Sequence, residues 1–177
     1  MKKAYDKMII ITAPSGAGKT SITHHLMKVF PQLSFSISAA TRSPRANEKE
    51  GVDYYFMTPK EFQKRILNEE FVEWEMVYEG KYYGTLKSEL KRIWQKNEVP
   101  VLDIDVQGGI HVQKEYPVNS LFIFIQPPSV DELKKRLETR GTESPESLQT
   151  RISKASYELS FANQFEHIIE NLDLAKA

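Results

Sequence analysis

The sequence predicts an α/β fold in which helices cover both faces of a central parallel sheet. Three continuous apolar segments, residues 8–12, 99–104 and 121–125, have the composition of buried strands. Segments with apolar residues at helical spacing alternate with them, which is typical of a parallel sheet. Residues 38–96 differ, because their aromatic strands alternate in polarity and are joined by hairpin-like turns. We expect these residues to form an antiparallel insert.

Length and composition limit the possible classes of protein. The 177 residues suffice for one domain with a complete core and a small insert. Lys plus Arg and Asp plus Glu both number 24, and this balance argues against bulk attraction to nucleic acid or to a membrane. No cysteine is present, which excludes disulfides and thiolate zinc sites. We therefore expect a cytoplasmic protein without nucleic-acid or membrane partners, either a monomer or a homodimer.

A glycine-rich turn follows the first strand. It comprises Ala13, Pro14, Ser15, Gly16, Ala17, Gly18, Lys19 and Thr20. A turn of this pattern between a strand and a helix predicts the phosphate-binding loop of a P-loop NTPase, because backbone N–H groups converge there on an anion. Lys19 would reach the β- and γ-phosphates, and the Thr20 hydroxyl would bind Mg²⁺. Ala13 replaces the first glycine of the pattern at a position that closes the turn; a chance match in an ordinary turn is the alternative.

The chain then passes through a second strand to a basic segment. The first helix is predicted to end near Phe30, and residues 33–37 alternate as a strand. Arg42 and Arg45 flank Pro44 in what we expect to be a rigid loop, and their guanidinium groups suit phosphate oxygens. A solvated basic turn is the alternative.

The insert is predicted to contain two further β segments and two helices. After an aromatic strand at residues 53–57, Thr58 and Pro59 have the positions of an N-cap and a first helical residue. Phe62, Ile66 and Leu67 form the apolar stripe of this helix. The next strand covers residues 71–78, where Glu73 and Glu75 alternate with apolar residues and give one acidic face. A turn at Glu79-Gly80 precedes residues 81–85 and a helix from about 86 to 96.

The returning core segment carries an acidic residue at the end of a strand. Asp103 lies near the end of an apolar strand, where a second nucleotide-binding element would place a carboxylate directed at Mg²⁺. We expect Gln107-Gly108-Gly109 to break this strand before a helix that ends near residue 116. After the strand at 121–125, Ser129 and Glu132 have the spacing of a capping box.

Three arginines accompany a predicted turn between two helices. Arg136 and Arg140 precede residues 141–145, and Arg151 follows them. This arrangement suggests a lid that closes over phosphates, although a solvated pair of charged helices would have the same composition. A final strand is predicted at residues 167–171, with a last helix barely begun at residue 177.

Taken together, these segments resemble the guanylate kinases over essentially the whole chain. The matching segments are APSGAGKT, SAATRSPR, GVDYYF, FVEWEMVYEGKYYGT, VLDIDVQGG, FIFIQPPS and LKKRLETRGTES. The resemblance implies a core at residues 1–37 and 97–177 that binds ATP with Mg²⁺, a lid at about 136–151, and an insert at 38–96 that binds GMP. It implies transfer of the γ-phosphoryl group of ATP to GMP. The family's C-terminal helix is cut short in this sequence, and we expect this to bear on packing at the sheet edge and not on the chemistry.

The resemblance also implies roles for individual residues. The positions expected to hold the GMP phosphate are Ser38, Arg42, Arg45 and Tyr54. Those expected to recognise guanine are Glu73, Thr85 and Asp105, with Tyr83 contacting the nucleotide. Arg136, Arg140 and Arg151 correspond to arginines that reach the transferring phosphoryl group, and Asn171 to a residue near the adenine.

The proposed reaction needs no general base. The second pKa of a phosphate monoester is near 6, so the attacking phosphate of GMP is largely ionised at neutral pH. The four histidines are accordingly expected to be surface or packing residues; they are His24, His25, His111 and His167.

Two alternative functions are compatible with the sequence. The first is a kinase of another nucleoside monophosphate, which a substrate panel would distinguish. The second is a guanylate-kinase-like scaffold domain that binds phosphorylated peptides without catalysis. Such domains typically have a degraded phosphate loop and altered GMP contacts, and absence of ATP-dependent GDP formation would support this second alternative.

Overall fold

The structure is a computed structural model that describes residues 7–45, 47–140 and 145–173. The elements in chain order are β1 (Met8–Thr12), α1 (Lys19–Val29), β2 (Leu33–Phe35), β3 (Ser38–Ala40), β4 (Tyr54–Phe56), α2 (Pro59–Leu67), β5 (Phe71–Tyr78), β6 (Lys81–Leu86), α3 (Lys87–Trp94), β7 (Val99–Ile104), α4 (Val106–Glu115), β8 (Ser120–Gln126), α5 (Val130–Arg140), α6 (Pro145–Leu159) and β9 (His167–Glu170). A short 3₁₀ helix, Ala162–Gln164, precedes β9. A turn was predicted at 141–145, but α6 already begins at Pro145, and residues 141–144 lie outside the described residues, as does most of the helix predicted to begin near the C-terminus.

The main sheet has five strands in the order β2-β7-β1-β8-β9. Every neighbouring pair in it is parallel, which confirms the predicted α/β core. Ile10 and Ile11 of β1 are both fully buried, on opposite faces of the sheet. Ile10 packs in a cluster with Val112 of α4, whereas Ile11 packs in a cluster with Ile22 of α1. Helices therefore cover both faces, which explains why the strand sequences are continuously apolar.

The second sheet has four strands in the order β4-β3-β6-β5. The expectation of an antiparallel insert is only partly correct, because β3 pairs with β4 in parallel while the other two pairs are antiparallel. Residues 41–53 separate β3 from β4, and a connection of about a dozen residues is long enough to return the chain for parallel pairing. Strand β3 was not predicted from the sequence. Its three residues, Ser38–Ala40, are small and directly precede the basic loop, and Ala39 and Ala40 are fully buried.

Both predicted helix caps are present. Thr58 Oγ1 accepts a hydrogen bond from the backbone N–H of Glu61 at 3.2 Å. Ser129 Oγ accepts one from the N–H of Glu132 at 3.0 Å. These bonds satisfy N–H groups that have no partner within the first turn of a helix.

Gly108 and Gly109 do not break the strand as expected, because β7 already ends at Ile104 and both glycines lie within α4. Helix α4 begins at Val106, and Asp105 is its N-cap, with Oδ1 accepting from the N–H of Gly108 at 2.8 Å. A Cβ atom on Gly108 would lie 2.8 Å from Glu73 Oε2, and one on Gly109 would lie 3.3 Å from the side chain of Thr12. The two glycines are therefore explained by close packing of α4 against neighbouring strands and not by a turn.

No helix among the described residues is both long enough and apolar enough to cross a membrane.

The second sheet has its own apolar cluster, in which Phe62 is fully buried and stacks on Phe71 with ring centroids 4.4 Å apart. We expect Phe62→Ala to lower the free energy of unfolding by about 3–5 kcal/mol, because it removes this burial and leaves a cavity. Leu67→Ala on the same helix is the control, since Leu67 is 83% exposed despite its place in the predicted stripe; it should change the free energy by less than about 0.5 kcal/mol. Denaturant unfolding measures both, and equal losses would contradict the assignment of this core.

Candidate functional site

A cavity lies at the carboxyl edge of the main sheet, between the phosphate loop and the second sheet. Thirteen of the sequence-predicted residues line it: Ala13, Ser15, Lys19, Thr20, Ser38, Arg42, Arg45, Tyr54, Glu73, Tyr83, Asp103, Asp105 and Arg151. Others lining it were not singled out for the site: Glu75, Val77, Tyr78, Gly84, Ile104, Lys154 and Glu158. Parallel strands place their carboxyl ends at one edge of a sheet, so β1 and β7 deliver the phosphate loop and Asp103 to the same place.

The phosphate loop is hydrogen-bonded to the residue that follows the last strand. Gly18 has a φ of 94°, in the left-handed region that favours glycine. The buried side chain of Asn171, just after β9, donates through Nδ2 to the carbonyl oxygen of Ala17 at 2.7 Å. A Cβ atom on Gly18 would lie 2.2 Å from that Nδ2 atom. Gly18 is therefore required both by its backbone angle and by the close approach of Asn171.

Lys19 and Thr20 both contact Asp103. Lys19 Nζ lies 2.7 Å from Asp103 Oδ1, and the Thr20 hydroxyl donates to Oδ2 at 3.2 Å. Burial works to lower the pKa of Lys19, but the charge of Asp103 and its hydrogen bond outweigh burial and raise it above its usual value. Lys19 is therefore a cation at any physiological pH.

Arg42 is fixed by partners that sequence reasoning did not identify. Its Nη1 and Nη2 atoms donate to the two carboxylate oxygens of Glu48 at 2.5 and 2.7 Å, and its Nε atom donates to the Tyr83 hydroxyl at 3.2 Å. The guanidinium carbon lies 4.8 Å from the centre of the Tyr54 ring. The hydrogen bonds from Arg42 lower the pKa of Glu48 to about 2. Glu48 lies in a polar loop without periodicity, so no pattern in the sequence indicated it.

Arg45 is arranged differently. Its side chain is 64% exposed, and its Nη1 atom lies 4.0 Å from Glu48 Oε1. Its backbone N–H donates to Glu48 Oε2 at 2.8 Å. Glu48 thus connects both predicted phosphate-binding arginines.

Glu73 lines the cavity, whereas Thr85, which was also predicted to contact the base, is fully buried and does not line it. Glu73 is 4% exposed, and the Thr85 hydroxyl donates to its Oε1 atom at 2.7 Å. The pairing of β5 with β6 shifts register between Phe71 and Glu73, and both Val72 and Glu73 are buried there instead of alternating. Burial raises the pKa of Glu73 to about 8, the hydrogen bond from Thr85 opposes this, and the nearby Asp105 and Glu75 add to it.

The three predicted lid arginines do not share one position. Arg151 Nη1 donates to the Ser15 hydroxyl at 2.7 Å, so this residue reaches the phosphate loop. Arg136 instead lines a second depression beside Gly16, Gly18 and Asn171, and its Nη2 atom donates to the Asn171 carbonyl at 3.0 Å. The side chain of Arg140 lies outside the described residues.

Two charged residues of α6 were missed although the sequence held a signal for them. Lys154 and Glu158 lie three and seven residues after Arg151, a spacing that places all three on one helical face. All three line the cavity. Among the described residues of the cavity there is no histidine, and all four histidines are exposed, as the phosphate chemistry led us to expect.

The fit between Gly18 and Asn171 can be tested by substitution. We expect Gly18→Ala to lower the free energy of unfolding by about 2–4 kcal/mol, because the new Cβ adds a clash to an unfavourable backbone angle. Gly80→Ala is the matched control, since Gly80 also has a positive φ, 67°, but no atom within 4 Å of its Cβ position; it should cost about 1–2 kcal/mol. Thermal unfolding measures both, and an equal cost would refute the close approach.

The raised pKa of Glu73 predicts a pH dependence of stability. The folded protein keeps a proton on Glu73 up to about pH 8, whereas the unfolded chain loses it near pH 4–5. The Glu73 contribution to stability is therefore present below that range and is lost as the pH rises to about 8. Relative to the parent, Glu73→Gln should gain on the order of 1–3 kcal/mol between pH 5 and pH 8.5. Denaturant titrations at both pH values measure this, with Glu79→Gln in the exposed β5–β6 turn as control; a constant difference would contradict the raised pKa.

Comparisons with known proteins extend over nearly the whole chain. A family model described as Guanylate kinase matches residues 5–177. A guanylate kinase of Bacteroides thetaiotaomicron is 49% identical over 177 residues, which are 100% of this chain and 87% of that protein. A guanylate kinase of Porphyromonas gingivalis is 47% identical over 169 residues, 95% of this chain and 90% of that protein. The crystal structure of guanylate kinase from Anaplasma phagocytophilum superposes with a TM-score of 0.78 at 29% identity, covering 98% of this chain and 81% of that one.

Proposed function

The chain belongs to the guanylate kinase family, and from that premise we propose which residues carry each part of its reaction. The protein is an ATP:GMP phosphotransferase that transfers the γ-phosphoryl group of ATP to GMP, giving ADP and GDP. This reaction serves the recycling of guanine nucleotides. The resemblance found in the sequence is thereby confirmed, while the assignments of single residues below are our own proposals.

The phosphate loop binds the phosphates of ATP. Its backbone N–H groups at the start of α1 face an anion at a positive helix end, and Lys19 adds a permanent positive charge. Asn171 holds the loop through Ala17 and lines the depression that we assign to the adenine side, together with Arg136.

A divalent metal, Mg²⁺, accompanies ATP. The oxygen atoms of Thr20 and Asp103 lie together beside Lys19, and Mg²⁺ is typically held by one or two protein oxygens together with phosphates and water. No cluster of three or more acidic, His or Cys side chains that could hold a metal occurs among the described residues, so a site completed by the nucleotide fits this donor set. The ion would neutralise charge on the transferring phosphoryl group.

The GMP phosphate binds beside Arg42. Guanidinium groups match phosphate oxygens in two-point contacts, and Arg42 is already oriented by Glu48 and Tyr83. Ser38, Arg45 and Tyr54 line the same part of the cavity. The phosphate of GMP is the attacking group, and it needs no base because it is already ionised at neutral pH.

Guanine binds at the far end of the cavity, where Glu73 lies and accepts a hydrogen bond from Thr85. A carboxylate at Glu73 can accept hydrogen bonds from N1–H and from the 2-amino group of guanine, whereas adenine has an acceptor at N1 and no 2-amino group. Leaving the buried carboxylate unpaired costs at least about 1–3 kcal/mol. The single observation that carries the proposal is that this buried acid and the phosphate loop line one cavity, which Arg42 and Arg45 line as well.

Two anions must be brought together for this transfer, so cations are the main requirement. We assign this role to Lys19, Mg²⁺, Arg42 and the lid arginines Arg136, Arg140 and Arg151. An arginine directed at the transferring group is worth about 10³–10⁵ in rate in related phosphoryl transfers. Closure of the lid, at about residues 136–151, would carry Arg136 and Arg140 toward the cavity.

We further propose that residues 1–37 and 97–177 form the ATP-binding core and residues 38–96 the GMP-binding part. The protein acts on small nucleotides in the cytoplasm, without nucleic-acid or membrane partners.

A substrate panel tests the assignment of Glu73. The parent should phosphorylate GMP and not AMP or UMP in a coupled assay with ATP. Glu73→Gln should raise KM for GMP by about 100-fold or more with little change in KM for ATP, because an amide offers one acceptor and one donor where guanine presents two donors. Glu79→Gln in the exposed turn is the matched control.

Other outcomes would decide between the alternatives. Equal losses for GMP and ATP in Glu73→Gln would remove Glu73 from guanine recognition. Equal phosphorylation of AMP or UMP would indicate another nucleoside monophosphate kinase, and no GDP formation by the purified parent would favour a non-catalytic scaffold domain.

A further inference from the structure

Lys154 of α6 extends into the guanine end of the cavity and contacts three different elements there. Its Nζ atom donates to the Val77 carbonyl of β5 at 3.0 Å. The same atom lies 3.5 Å from Asp105 Oδ2 at the start of α4, and 3.5 Å from Glu158 Oε1 on its own helix. It also lies 5.0 Å from the centre of the Tyr78 ring. One ammonium group thus connects the helix α6 to the strand and to the helix start that border the base site.

Acidic residues surround this lysine. Glu73 and Glu75 of β5, Asp105 and Glu158 all line the same cavity, and Glu158 is only 3% exposed. Lys154 contacts two of these acidic residues, Asp105 and Glu158.

Asp105 is held at both of its carboxylate oxygens. Its Oδ1 atom accepts from the N–H of Gly108 at 2.8 Å, and Oδ2 faces Lys154. A carboxylate held at one oxygen alone can rotate, and the contact of Lys154 with Oδ2 opposes that rotation. The pair of contacts from Gly108 and Lys154 fixes both the plane and the direction of the carboxylate.

We propose that Lys154 is a positioning residue for guanine recognition, which holds the Asp105 carboxylate in the orientation that receives the base. The inference rests on the role in guanine recognition that the resemblance to the guanylate kinases implies for Asp105. Lys154 acts through Asp105, and no contact between Lys154 and the nucleotide is required.

Substitution of Lys154 should change KM for GMP and not KM for ATP. Loss of the ammonium group leaves Asp105 without its second contact, and coupling energies of contacting charged residues are about 0.5–3 kcal/mol. We therefore expect Lys154→Met to raise KM for GMP about tenfold. KM for ATP should stay within about twofold, because the contacts of Lys154 lie at the guanine end of the cavity. Lys154→Arg keeps the charge and should recover most of the loss.

A double-mutant cycle on the full chain separates positioning from general loss of structure. The variants are Lys154→Met, Lys154→Arg, Asp105→Asn and the combination of Lys154→Met with Asp105→Asn. Lys91→Met on the exposed face of α3 is the matched control. KM for GMP, KM for ATP and kcat are measured for each, with thermal unfolding as a check of folding.

The inference predicts that Lys154→Met has no further effect on KM for GMP once Asp105 is Asn, because its action passes through that carboxylate. Additive effects, equal rises in KM for GMP and ATP, or an unchanged KM for GMP in Lys154→Met would overturn it. If Asp105→Asn alone leaves KM for GMP unchanged, the proposed role of Asp105 fails, and the inference fails with it. If Lys154→Met does not fold, Lys154→Gln, which retains a donor for the Val77 carbonyl, takes its place with the same outcomes.

Discussion

Pairing of three cations in the cavity with carboxylates is the constraint on which the rest of the site depends. A site for two polyanions needs concentrated positive charge, yet bare cations in a partly buried cavity would repel one another and lose hydration. In the structure, ion pairs join Lys19 to Asp103, Arg42 to Glu48 and Lys154 to Asp105. The carboxylates hold the cations in place before substrate arrives, so little side-chain ordering remains to be done on binding. The balanced net charge of the chain has a local counterpart in this arrangement.

The guanine end of the cavity differs from the phosphate end in the protonation of its buried carboxyl group. Glu73 is buried and keeps its proton to about pH 8, although recognition of guanine calls for the ionised form. With the role that we propose for Glu73, binding of GMP would be coupled to release of its proton, and two donors of the base would replace the lost hydration of the carboxylate. Part of the binding free energy would be used for this ionisation, and a base without those donors could not supply it.

Much of this molecule could be predicted from its sequence. Ile10 and Ile11, in a continuous apolar run before a glycine-rich loop, indicated a doubly covered parallel strand, and the structure has one. The predictions that failed involve residues whose role depends on contacts with residues far away in the sequence. Gly108 was expected to help break the strand, because its close approach to Glu73 cannot be read from the local sequence. Glu48 gave no periodic signal at all, whereas Lys154 lay on a helical face that could have been recognised from the spacing of Arg151 and Glu158.

The bond from Asn171 to Ala17 joins the two ends of the described chain. Asn171 directly follows β9, an edge strand that pairs only with β8 in the main sheet. Local opening occurs most easily where few contacts hold a segment, and opening of this edge strand would release the Ala17 carbonyl. Occupancy of the loop by a nucleotide and closure of this edge should therefore be linked equilibria, and we expect a ligand bound near residue 18 to slow amide hydrogen exchange in a strand about 150 residues further along the chain.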